Sequence, residues 1–103
     1  MAEVMSYELT IALESDMQAE KSKKIIEEIE RETRDLGGVV EKTESLGIKL
    51  LSYPIRAAKQ ASFFRFSLHL PSDKIGGFQN DLAKNDKLLR VLLIKGGENG
   101  KKR

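Results

Sequence analysis

The chain of 103 residues contains no cysteine and no tryptophan, and it has only two prolines and one histidine. The absence of cysteine excludes a disulfide scaffold, a thiolate nucleophile and a cysteine-bound zinc or iron–sulfur centre. It is compatible with a reducing compartment. No apolar run approaches the roughly 20 residues that a membrane span needs. The start of the sequence, with Met1 or Met5 as alternative first residues, lacks the basic and apolar regions of a signal peptide. We therefore expect a cytoplasmic protein.

Charge is nearly balanced overall at +2, but the two halves of the chain differ strongly. Residues 1–45 carry 6 Lys and Arg against 12 Asp and Glu, a net charge of −6, whereas residues 46–103 carry 12 against 4, a net charge of +8. Such an asymmetry indicates either that one face of the protein meets a polyanion or that the acidic half is merely a solvated surface. The sequence leaves these two interpretations open.

Apolar residues at alternating or helical spacing predict six elements in the order strand, helix, strand, strand, helix, strand. We place the strands at 6–13, 39–53, 62–70 and 88–94, and the helices at 15–36 and from residue 73 to the turn at 85–86. This order predicts an α+β fold of the ferredoxin-like split βαβ type, a four-stranded antiparallel sheet with both helices on one face. Residues 6–95 form a single domain, and residues 96–103 a flexible basic C-terminal tail.

The stretch between residues 46 and 60 joins the two halves and has the most distinctive local features. Gly47 interrupts an alternating strand and predicts a bulge or kink. Tyr53-Pro54 predicts the end of the strand, because proline has no N–H to donate. Residues 56–60 follow as a polar, basic loop. Farther along, the pair Gly76-Gly77 weakens the second helix and suggests close packing on the sheet.

The third strand places one set of side chains on the open face of the sheet: Phe63, Arg65, Ser67 and His69. An RNA-recognition motif uses aromatic residues on this face to stack bases, but the surrounding sequence lacks the basic-glycine-aromatic pattern of that motif. Phe63 is better interpreted as a packed residue or a contact with a partner protein.

The sequence contains few candidates for catalytic, metal-binding or phosphate-binding residues. His69 has no carboxylate or cysteine at metal-ligand spacing, and the glycine pairs match neither common phosphate-binding fingerprint. Acylphosphatases share the predicted fold class and length, but the sequence lacks their glycine-rich anion loop with its arginine. We therefore predict no catalytic residue, no metal site, no cofactor and no small-molecule substrate.

Cations are concentrated around the central stretch and around the turn into the last strand. Lysines and arginines on neighbouring loops are typical of phosphate contacts, which position an RNA without reading its sequence. The candidate RNA-binding residues are Lys49, Arg56, Lys59, Lys84, Lys87 and Arg90.

One family shares the central stretch and its surroundings. The shared residues are Leu46-Gly47, Lys49, Leu50, Tyr53-Pro54-Ile55 and Lys59-Gln60-Ala61, with further matches at Tyr7-Glu8, 38–41, Asn85-Asp86, Leu89-Arg90 and Lys95. In this pattern the chain resembles the bacterial small-subunit ribosomal protein six family over roughly residues 7–95. Many members carry consecutive basic residues where Ile48-Lys49-Leu50 has only one.

The resemblance implies a structural component of the small ribosomal subunit that does no chemistry. It would bind the central domain of 16S-type ribosomal RNA together with small-subunit ribosomal protein eighteen. Lys49, Lys84 and Arg90 match positions that are basic in the family, and the other three candidates rest on local charge. The resemblance also suggests a structural role for Tyr53 and Pro54, and it suggests the second strand and the C-terminal tail as the surface for the partner.

Two other functions remain compatible with the residues. A free-standing module for single-stranded RNA would bind without a partner and stack bases on Phe63. A small-molecule-binding regulatory domain of the same fold would be stabilised by its ligand and would bind it independently of salt.

Overall fold

A computed structural model of the chain describes residues 3–96. It contains four strands and two helices in the predicted order: β1 Val4–Glu14, α1 Ala19–Asp35, β2 Val39–Ile55, β3 Ala58–Pro71, α2 Ile75–Ala83 and β4 Arg90–Lys95. The strands form one sheet in the order β2-β3-β1-β4, and every neighbouring pair is antiparallel. The ferredoxin-like fold is thus confirmed. The predicted tail from residue 97 onward lies outside the described residues.

One face of the sheet carries the main hydrophobic core. Alternate residues of β1 and β3, among them Leu9 and Phe66, are buried there together with Ile25 of α1 and Phe78 of α2. Since side chains alternate along a strand, residues of the opposite parity lie on the other face. Both helices therefore cover the same face, as predicted, and leave the second face open.

Helix α1 ends as its sequence predicts and begins later. Gly37 takes φ +92°, and the amides of Gly37 and Gly38 donate to the carbonyls of Arg34 and Thr33, the double hydrogen bond of a Schellman motif. The predicted start at residue 15 is wrong, because β1 continues to Glu14, residues 15 and 16 form a turn and the helix begins at Ala19. In this turn the amide of Met17 donates to the carbonyl of Glu14 at 3.1 Å.

Gly47 forms the irregularity that the sequence predicts. It takes φ +84°, and the pairing of β2 with β3 shifts by one residue between Ser45 and Gly47. A residue without a side chain adopts this conformation at little steric cost. Because β3 is its sole neighbour in the sheet, β2 is an edge strand, as its polar first half indicates.

The end of β2 differs from the prediction. The strand continues through Tyr53 and Pro54 to Ile55, but its pairing with β3 is interrupted between Leu50, opposite Gln60, and Ile55, opposite Ala58. Proline interrupts the ladder without ending the strand. Residues 51–54 consequently form a large bulge opposite Lys59.

The predicted basic loop at 56–60 is also wrong. Two residues alone, Arg56 and Ala57, connect β2 to β3, and both take positive φ, at 51° and 70°. Positive φ at both central positions is the requirement of a type I′ hairpin turn. The turn could not be predicted from the sequence, because Arg56 and Ala57 stand where asparagine and glycine usually occur.

The glycines of the chain differ in what surrounds them. The suggestion that Gly76 and Gly77 pack closely on the sheet is wrong, because a Cβ atom at either would meet nothing within 4 Å. Gly38 is the opposite case, since a Cβ there would lie 2.0 Å from the carbonyl oxygen of His69.

We expect Gly76→Ala and Gly77→Ala to stabilise the protein, each by up to about 1 kcal/mol, because alanine is the better helix former and space is available. Gly38→Ala should instead destabilise it, since the new methyl group would displace β3. Urea unfolding of the three variants measures these changes. Loss of stability in both α2 variants would show that the fold requires glycine at positions 76 and 77.

Helices α1 and α2 meet through two acidic side chains, Glu32 and Asp81. The pKa of Glu32 is raised from 4.5 to about 7, chiefly by burial and then by a hydrogen bond to Asp81 and repulsion from Asp81 and Asp35. The folded protein therefore holds the Glu32 proton more tightly than the unfolded chain does.

This pKa predicts a pH dependence that Glu32→Gln should remove. Below about pH 4.5 Glu32 is protonated in both the folded and the unfolded state. As the pH rises from 4.5 to about 7, the folded state loses stability. Above pH 7 Glu32 is ionised in both states, and the folded state bears the full cost of the buried charge. The wild type should thus become less stable relative to the variant across this window, as measured by urea unfolding at several pH values. A difference in stability between wild type and Glu32→Gln that does not change with pH would contradict the raised pKa of Glu32.

Candidate nucleic-acid interface

The hairpin turn of β2 and β3 is attached to the loop between α2 and β4. The guanidinium of Arg56 donates through Nη1 to the carbonyl of Asp86 and through Nη2 to that of Leu88, the latter at 3.5 Å. These bonds join two segments 30 residues apart in sequence. The two groups of predicted cations, one on the hairpin and one around the last turn, therefore lie at the same end of the sheet.

The loop after α2 has internal hydrogen bonds that hold its shape. The carboxamide oxygen of Asn85 accepts from the amide of Lys87 at 2.9 Å, and the amide of Leu88 donates to the carbonyl of Asn85 at 3.1 Å. Leu88 is buried in the main core, and the amide of Leu89 donates to the carbonyl of Ala12 at 2.8 Å. Lys84 and Lys87 are exposed on this anchored loop.

Lys49 and Arg90 lie on the open face at the same end. Arg90 pairs with Ala12, which pairs with Phe63, which pairs with Gly47, so these four residues form one row across the sheet. Lys49 is opposite Ala61, in the next row toward the hairpin. Directly paired residues share a face, and both cations are exposed there.

Lys59 lies opposite the bulge of β2 and beside an open cleft of about 420 Å³. The cleft lies between the turn after β1 and the hairpin, and both acidic and basic side chains line it, including Glu14, Asp16 and Arg56. Lys87 lines another cleft, together with the acidic Glu14 and Asp86.

Ion pairs divide the cations of the sheet into two groups. On the open face, Arg65 pairs with Glu44 at 2.9 Å and Lys42 pairs with the same carboxylate at 3.3 Å. Hydrogen bonds from Arg65 and then Lys42 lower the pKa of Glu44. Five predicted RNA contacts, by contrast, make no ion pair within residues 3–96: Lys49, Lys59, Lys84, Lys87 and Arg90.

The predicted open-face residues of β3 are engaged with the protein itself. Phe63 packs against a small second cluster that contains Ala12, Ala61 and Leu89. His69 is hydrogen-bonded through Nδ1 to the hydroxyl of Ser6 at 3.1 Å and through Nε2 to Glu41 at 3.0 Å. In the described part of the chain, no three carboxylates and imidazoles group together as a metal site would require.

Tyr53 is a surface residue that sequence reasoning missed. Its side chain is 77% exposed, and the neighbouring Leu50 is 80% exposed. The Tyr-Pro pair suggested a structural residue, and no feature of the sequence indicated that the ring is exposed.

Comparison with known proteins assigns the family. The model of the ribosomal protein S6 family matches residues 6–95. The chain belongs to this family. Small ribosomal subunit protein bS6 of Thermus thermophilus is 30% identical over 92 residues, which cover 89% of this chain and 91% of that protein. The bS6 protein of Halalkalibacterium halodurans is 26% identical and is covered to 97%.

Solved structures show the same fold. The crystal structure of 30S ribosomal protein S6 from Thermotoga maritima superimposes with a TM-score of 0.85 at 14% identity, over 97% of this chain and 94% of that one. The P2 domain of the chemotaxis kinase CheA, in complex with the response regulator CheY, also matches, with a TM-score of 0.61 at 11% identity over 91% of this chain. Because a chemotaxis domain shares it, the fold by itself does not indicate the function.

Members of the S6 family are structural proteins of the small ribosomal subunit and not enzymes, so the chain is a ribosomal protein. Among residues 3–96 no helix is long and apolar enough to span a membrane.

Arg56→Ala should destabilise the protein by about 1–3 kcal/mol, because it removes two charge-assisted hydrogen bonds to loop carbonyls. Lys59→Ala is the matched control on the same hairpin and should change stability by no more than about 0.5 kcal/mol. Chemical unfolding compares the two variants. Equal stabilities would show that the guanidinium does not hold the two segments together.

Proposed function

We propose that this chain is a structural component of the small ribosomal subunit in the cytoplasm, and that it binds the central domain of 16S-type ribosomal RNA together with small-subunit ribosomal protein eighteen. The observation that carries the RNA-binding part is the collection of five cations without carboxylate partners at one end of the sheet. Family membership supports the ribosomal setting.

The physical case for phosphate binding rests on which cations lack partners. A lysine already paired with a carboxylate must give up that partner to bind a phosphate, whereas an unpaired lysine only releases counterions from the RNA. Arg65 and Lys42 are of the first kind. The cations of the α2–β4 loop, Lys84 and Lys87, are of the second kind, and the bonds of Asn85 and Arg56 hold the loop in place before any RNA binds.

The edge of β2 is the proposed surface for the partner protein. Ile48 and Leu50 are 58% and 80% exposed, and they pair with Ser62 and Gln60, which places them on the helix side of the sheet. Lys49, between them in sequence, lies on the open face. The partner and the RNA would therefore use opposite faces of the same hairpin, close enough for each to favour binding of the other.

The test is binding to a central-domain RNA fragment across a salt series, with and without ribosomal protein eighteen. Tight binding should require the partner. Lys84→Ala and Lys87→Ala should each weaken binding and reduce the slope of log K against log salt by about 0.7–0.9, the value for one phosphate contact.

Lys24→Ala, on the exposed surface of α1, is the matched control and should leave the slope unchanged. The double variant Ile48→Ser/Leu50→Ser should weaken RNA binding only when the partner protein is present. Equal slopes for wild type and both loop variants would contradict the assigned contacts, and absence of RNA binding under either condition would overturn the proposed function.

A further inference from the structure

Tyr53 differs from every other aromatic residue of the chain. Phe66 and Phe78 are fully buried, and Tyr7 and Phe64 pack against the main core. Phe63 packs against the second cluster. All six aromatic residues lie in the described range, and Tyr53 is the one whose ring extends into solvent.

The backbone of β2 holds Tyr53 in this position. Residues 51–54 lie opposite Lys59 alone, because pairing stops at Leu50 and resumes at Ile55. The two ends of this bulge are fixed, since Leu51 and Ile55 both pack against the second hydrophobic cluster. Pro54 further restricts the chain, through its own fixed φ and through the extended conformation it imposes on Tyr53. The exposed ring therefore sits on a restrained backbone segment, so binding there costs little backbone freedom.

The stretch of sequence around Tyr53 is basic. Between Glu44 and Asp73 the sequence contains no acidic residue. Lys59 is opposite the bulge, and Lys49 precedes it by four residues; neither forms an ion pair within the described part of the chain. Proteins bind single-stranded nucleic acid by combining exposed aromatic rings, which stack on bases, with cations that contact phosphates, and this hairpin carries both kinds of residue.

We propose that Tyr53 stacks on one unpaired base of the bound RNA. This inference rests on the proposed function and adds to it, because phosphate contacts position any RNA whereas a stacking site requires a nucleotide that is outside a helix. Leu50 and Ile48 lack a π face and belong to the neighbouring partner surface. Stacking accepts any of the four bases, so the site selects an unpaired nucleotide and not a sequence.

The first test is a fluorescence measurement. The chain has no tryptophan, so Tyr53→Trp introduces a single reporter at the proposed stacking site. Binding of the central-domain RNA fragment, in the presence of ribosomal protein eighteen where that is required, should quench its emission, and RNA affinity should be retained. Lys24→Trp, on the exposed surface of α1, is the matched control and should be quenched less. Equal emission with and without RNA at Tyr53→Trp would overturn the proposal.

The second test separates stacking from charge. Tyr53→Ala should weaken RNA binding by about 5- to 150-fold, the range measured for loss of one base–aromatic stack, and should leave the salt slope unchanged. Tyr53→Phe should bind as the wild type does, because it keeps the ring. Since the side chain is exposed, unfolding curves of these variants should match that of the wild type.

The outcomes distinguish this inference from the function on which it rests. If Lys87→Ala changes the salt slope but Tyr53→Ala binds RNA as the wild type does, stacking is wrong and RNA binding stands. If Tyr53→Ala weakens binding to the partner protein in the absence of RNA, the ring is a protein contact, and the stacking proposal is overturned. If neither the wild type nor any variant binds RNA, the proposed function itself fails.

Discussion

Burial of a single face of the sheet is the constraint on which the rest of this structure depends. With both helices on one side, the alternation of side chains along each strand decides which residues enter the core and which remain available. Phe66 and Arg65 are neighbours in sequence, yet one is fully buried and the other pairs with Glu44 on the open face. The same alternation separates Lys49 from the apolar residues on either side of it, so a single strand presents two different surfaces.

Arg56 adds a second constraint at the end of the sheet. Its guanidinium joins the hairpin turn to the loop after α2, and its own backbone takes the positive φ that the tight turn requires. A basic residue near a candidate RNA site would ordinarily be assigned to phosphate. Here at least two of its donors are directed at carbonyl groups of the protein, so Arg56 helps to bring other cations together, and its own contact with RNA stays a prediction.

Much of the fold was predictable because the signals were local. Alternating apolar residues in β1 and β3 and helical spacing in α1 are features of short segments, and the elements that they predict are all present. The errors occurred where a local signal had more than one outcome. Proline at position 54 interrupts hydrogen bonding whether a strand ends or bulges, and Arg56-Ala57 forms a tight turn that neither residue favours intrinsically.

The sequence by itself determined the order of the elements, the edge position of β2, the bulge at Gly47 and the excess of cations in the second half, because these follow from spacing, residue type and charge. The tertiary structure alone decided which cations have carboxylate partners, that Arg56 is bonded to backbone carbonyls and that Tyr53 is exposed. Those properties depend on residues about 20 to 30 positions apart along the chain, and only the packing of strands and loops sets the distances between them.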